Sequence, residues 1–127
     1  MKIEHIGIAV KDIAASNEIF SALLGVKPYK EERVESENVI TSFFQVGDSK
    51  IELLQATSPD SAIAKFLEKN KEGMHHIAFL TDDIEAEIQK QKLLAADIRV
   101  NLTQTFDGPA LMVFESDFKI AQAVLKS

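Results

Sequence analysis

The chain has 127 residues, a net charge of −6 and no cysteine. That length suits one compact domain, and a hydrophobic content of 46% is enough for a real core. The scattered basic residues exclude a nucleic-acid footprint, the absence of a long apolar run excludes a spanning helix, and the missing thiols exclude disulfides and thiolate metal sites.

The first residues are already strand-like, so no signal peptide is expected and a cytoplasmic location follows. A strand is predicted over 3–10. Asp12 can cap the next helix, because its carboxylate accepts a free amide of the first turn. Ile13, Phe20, Leu23 and Leu24 recur at helical spacing and are expected to face the core. Gly25 ends that helix. Strands follow over 28–35, 39–46 and 50–55, with Gly47-Asp48 as the turn between the last two. Ser58-Pro59-Asp60-Ser61 starts a connecting helix over 62–69, and Gly73 follows its end. Beyond it come a strand over 75–81, a helix over 84–95, and strands over 98–102, 110–115 and 119–125. Asp107-Gly108-Pro109 is a turn signal.

This order is a repeat. HIGIAVKDI begins at His5 and HIAFLTDDI begins at His76, an offset of 71 that also carries Asp12 to Asp83 and Ile13 to Ile84. Each copy reads β-α-β-β-β. The expected fold class is α+β: two such modules related by a pseudo-twofold axis, forming a curved mixed sheet around a central cavity. One domain, 1–127, then holds module one at 1–57, the connecting helix at 58–72 and module two at 73–127.

Symmetry places equivalent residues on the inner face, so His5 and His76 would point into one cavity. A lone histidine in a strand is usually structural. Two at the same register of a repeat favour a divalent metal site. His75 points to the other face, because strand side chains alternate. Glu52 lies among Ile51, Leu53 and Leu54. It is either on a solvated strand face or, if buried, paired or bound to metal.

The segments HIGIAVKDI, KIELLQATSPDSAIAKFLEKN and EGMHHIAFLTDDIEAEI resemble methylmalonyl-CoA epimerase, within the vicinal oxygen chelate group that also holds glyoxalase I and bleomycin-resistance proteins. The match covers about residues 1–95, and 58–79 is its most distinctive part. The resemblance implies one divalent ion (cobalt, manganese, nickel or zinc) held by a histidine on the first strand of each module and an acid or amide on the last. His5, Glu52 and His76 match three of those positions. The family's fourth ligand is a glutamate near the end, in a segment like GVLIEL, which this sequence lacks. Adding the repeat offset to Glu52 lands on Ala123, and a turn shorter by one residue brings Gln122 into register instead. The family's histidine-proline-lysine turn is replaced by Glu115-Ser116-Asp117.

The resemblance further implies epimerisation of an acyl-CoA substrate, methylmalonyl-CoA, with Glu52 as the best available acid for moving the α-proton, and a homodimer. Lys65, Lys69 and Lys71 near the connector could meet CoA phosphates or simply be solvated. Glyoxalase-type isomerisation and metal-free ligand binding are the alternatives on the same fold.

Overall fold

The computed structural model describes residues 2–83, 85–86, 89, 101–105 and 108–114. The chain is an α+β protein. Its elements are β1 (Lys2–Ala9), α1 (Ile13–Leu24), β2 (Lys30–Val34), a short 3-10 turn (Glu35–Glu37), β3 (Val39–Val46), β4 (Ser49–Ala56), α2 (Ala62–Lys69), β5 (Gly73–Leu80), β6 (Asn101–Thr105) and β7 (Gly108–Phe114). Two compact units divide it, a larger one at 5–75 and a smaller one at 1–4 with 76–127. Among the described residues no helix is long and apolar enough to cross a membrane.

In the larger unit the strands run in the order β2-β3-β4-β1. β2, β3 and β4 are antiparallel neighbours, and Gly47 turns the last two with φ 58°. β1 lies parallel to β4, with His5 opposite Lys50 and Gly7 opposite Glu52. Alternation along β4 sends adjacent leucines to opposite faces. Leu53 packs with Val10 and Phe44 beneath Ile13, Phe20 and Leu24 of α1. Leu54 packs with Ala9 and Val39 beneath Ile63, Phe66 and Leu67 of α2. The sheet is therefore covered by α1 on one face and partly by α2 on the other.

The helices start where side chains can satisfy their free amides. Asp12 Oδ1 accepts from Ala15 N at 3.2 Å, and Ser61 Oγ accepts from Ile63 N at 3.1 Å. Ile13 N also donates to Gln55 Oε1 at 2.7 Å, which ties the start of α1 to β4. Gly25 ends α1 with φ 72°, its N–H donating to Ser21 O. On the α1 side, Ser42 Oγ donates to Asn17 Oδ1 at 2.6 Å, and Asn17 Nδ2 donates to Glu31 Oε1 at 2.6 Å. Asp12→Ala is expected to cost about 1 kcal/mol through loss of the cap, read from urea unfolding.

Leu23 does not face the core as its spacing suggested; it is 73% exposed. Leu23 and Leu24 are about 100° apart around the helix, and Leu24 shares the stripe of Ile13 and Phe20. Only one of the pair can point inward.

The smaller unit holds β5, β7 and β6 side by side, both pairings antiparallel. The repeat recurs here in local geometry. Asp83 Oδ1 accepts from Ala86 N at 3.0 Å, the counterpart of the Asp12–Ala15 bond. Of the helix predicted over 84–95, only Glu85, Ala86 and Gln89 are described, and all three are helical. Of the strand predicted over 98–102, residues 101 and 102 fall in β6, and 98–100 lie outside the described residues. Gly108 and Pro109 lie inside β7, where the sequence suggested a turn. Thr105 pairs with Gly108 across the two strands. The strand predicted over 119–125 lies outside the described residues.

Candidate metal centre

β1 and β4 bring His5 and Glu52 together. His5 is two residues from Gly7, the partner of Glu52 in the parallel pair, so both side chains rise from the same face. His5 Nε2 and Glu52 Oε1 stand 3.7 Å apart, with side-chain exposures of only 11% and 14%. That separation is too long for a hydrogen bond. It is close to the span of two ligands on one ion, which at about 2.1 Å each and tetrahedral angles stand about 3.4 Å apart. A neutral imidazole and a carboxylate suit a borderline divalent ion, so these residues fit the metal that the sequence suggested.

The same face carries Lys50, which the sequence analysis passed over. It precedes Glu52 by two residues, is the Cα partner of His5, and is only 8% exposed. Strand alternation was the signal that could have found it, since residues 50, 52 and 54 share a face. Beyond Glu52, on the side away from β1, lies Phe43. Its ring meets Tyr29 at 6.1 Å, and Lys30 Nζ stands 5.7 Å from its centroid. The carboxylate thus has an apolar wall on one side and β1 on the other.

His75 packs edge-on against Phe66 of α2, with ring centroids 5.0 Å apart, which is a structural contact. His76, the next residue, belongs to the smaller unit and is 4% exposed on β5. Its partner across the pair is Phe114, and Ala78 faces Met112. The repeat offset makes Ala78 the counterpart of Gly7. Where Gly7 has a carboxylate opposite it, Ala78 has a thioether. Gln122, Ala123 and Glu115-Ser116-Asp117 lie outside the described residues, as does any fourth ligand from that segment.

Comparison with known proteins adds independent information. A profile described as Glyoxalase/Bleomycin resistance protein/Dioxygenase superfamily matches residues 4–110. The uncharacterized protein YqjC of Bacillus subtilis is 39% identical over 88 residues, 69% of this chain and 63% of that protein. The chain therefore spans less than two thirds of that relative. The ethylmalonyl-CoA/methylmalonyl-CoA epimerase of Cereibacter sphaeroides is 34% identical over 100 residues, 78% of this chain and 73% of that enzyme. Among solved structures, a variant of Streptomyces coelicolor methylmalonyl-CoA epimerase in complex with 2-nitronate-propionyl-CoA superposes with a TM-score of 0.72. It is 31% identical and the match covers 94% of this chain and 88% of that one.

Proposed function

Because the chain belongs to the glyoxalase/bleomycin resistance protein/dioxygenase superfamily, we propose that it is a metal-dependent isomerase interconverting the epimers of methylmalonyl-CoA. The observation that carries this reading is the His5–Glu52 pair at 3.7 Å, on a chain similar to epimerases of malonyl-type thioesters. His5, Glu52 and His76 would hold the ion, and the repeat offset adds Gln122 as the fourth ligand. The repeat register, which makes His76 the counterpart of His5, supports His76 in that set.

The reaction removes a proton α to a thioester carbonyl and returns it on the opposite face. The bound ion supplies Lewis-acid stabilisation of charge on the carbonyl oxygens. Glu52 takes the proton on a carboxylate oxygen as the C–H electron pair moves toward the carbonyl. His5 would offer the lone pair of Nε2 to the ion. Phe43 is the cross-strand neighbour of Glu52 on β3. The tail KIAQAVLKS contains no acid, so water delivers the returning proton and the product acquires hydrogen from solvent.

That last point supplies the test. Incubating metal-loaded protein with methylmalonyl-CoA in deuterated water should give α-deuterated product, and chelation should stop it. Absence of exchange with cobalt, manganese, nickel and zinc alike overturns the reading.

A second reading has its own support. The repeat offset lands on Ala123, or Gln122 with a shorter turn, so the second module lacks an acid equivalent to Glu52. A superfamily member that binds an acyl-CoA without turning it over would tolerate that difference. It would retain ligand affinity and show no exchange.

A further inference from the structure

We propose that Tyr29 is a substrate-binding residue on which the adenine of a coenzyme A thioester stacks, with Lys30 beside it to meet the phosphates. The inference deepens the isomerase reading above and rests on it for the identity of the ligand.

The placement comes from the strand register. Lys30 of β2 is the partner of Phe43 of β3, Phe43 is the partner of Glu52 of β4, and Glu52 is the partner of Gly7 of β1. Directly paired residues share a face of the sheet. It is the face of Val39, Leu54 and Ala9, which pack in one cluster and lie an even number of residues along the same strands. Along this row a carboxylate gives way to an aromatic ring and then to a lysine on the edge strand. Glu52 and Lys30 stand two strand spacings apart, about 10 Å. The pantetheine arm of coenzyme A is longer than that. A thioester held at Glu52 can therefore carry its nucleotide to the edge strand.

The rings supply the platform. Tyr29 immediately precedes β2, and its N–H donates to Phe43 O at 2.9 Å. The two rings meet at 6.1 Å with an interplanar angle of 40°. Phe43 thus supports the tyrosine ring, yet Tyr29 remains 52% exposed. A flat ligand gains apolar burial there at little cost in side-chain ordering. Lys30 Nζ stands 5.7 Å from the Phe43 centroid and 3.0 Å from Glu32 Oε2. That ion pair is exposed, so it contributes little, and a phosphate competes well for the ammonium. A purine bearing phosphates uses both the ring and the lysine. An acyl chain would use only the ring, and an inorganic anion only the lysine.

Titration calorimetry on manganese-loaded protein compares methylmalonyl-CoA with methylmalonyl-pantetheine, the same thioester without the nucleotide. Melting temperature and metal content are recorded for each variant. The unaltered protein should bind the CoA ester at least about tenfold more tightly. Tyr29→Ala should weaken the CoA ester by about 5- to 100-fold, the range for one base stacked on one aromatic ring. Affinity for the pantetheine ester and manganese content should not change. Tyr29→Phe should keep the preference, because stacking needs the ring and not the hydroxyl. Tyr29→Leu keeps apolar bulk without a flat face; it should lose as much as Tyr29→Ala, and it decides if that variant fails to fold. Lys30→Met should weaken the CoA ester less and lower its sensitivity to salt.

Equal weakening of both esters by Tyr29→Ala, or of neither, overturns the role of Tyr29. Equal binding of both esters by unaltered protein that still exchanges the α-proton overturns it while leaving the isomerase intact. A preference for the CoA ester that depends on Tyr29, without exchange, does the reverse. Binding of neither ester sinks both.

Discussion

Replacing Glu52 by alanine is expected to empty the metal centre and to slow α-proton exchange by about 10²- to 10⁴-fold. Glu52 has two tasks in the proposed reaction, as an oxygen ligand and as the group that takes the proton. Its distance of 3.7 Å from His5 Nε2 leaves no other acid of the described residues as close to that imidazole. Metal content by atomic emission and exchange by NMR in deuterated water should fall together. Glu52→Gln separates the two tasks, since an amide oxygen can bind an ion but is a poor base. It should keep part of the metal and lose the exchange. Retention of both metal and exchange in Glu52→Ala would place the chemistry elsewhere in the chain.

Phe44→Ala is expected to destabilise the protein by about 3–5 kcal/mol, a large share of the 5–15 kcal/mol typical of a domain. Phe44 is fully buried and meets Phe20 of α1 with ring centroids 6.1 Å apart. Leu53 and Val10 pack in the same cluster. Truncation would leave a cavity between α1 and the sheet, which the flanking strands β2 and β4 prevent from collapsing. Leu23→Ala is the control. It removes an apolar side chain from the same helix, but from its solvent face, and should change stability by less than about 0.5 kcal/mol. Urea midpoints of the two variants test the contrast, and similar losses from both would mean that α1 packs differently.

The local elements were readable in the sequence wherever a cap or a turn residue marked the boundary. Ser61 before the helix and Asn70 after it bound α2 at the expected 62–69, and β3 spans the expected 39–46. The strand predicted over 28–35 shortens to Lys30–Val34, because Glu35–Glu37 form a 3-10 turn that closes on Asn38 at φ 54°. An apolar count cannot see that turn. Leu23 misled for a related reason: composition near the end of α1 is apolar all round, and only tertiary contact selects Leu24. For the site, residue type was enough to single out His5 and Glu52. Lys50 was invisible by type, since lysine usually means solvent, and became informative only through its burial. Met112 could not be placed from sequence at all, because facing Ala78 depends on which strand lies beside β5.

The parallel pairing of β1 with β4 has a kinetic consequence. The helix caps and the β3–β4 hairpin join residues close in sequence, and such contacts form early at small entropic cost. His5 and Lys50 are 45 positions apart, so bringing His5 beside Glu52 requires a long loop to close after the hairpin exists. The imidazole and the carboxylate therefore meet late in folding. Acquisition of a metal ion during refolding should lag behind the recovery of helical circular dichroism, and its rate should report completion of the larger unit.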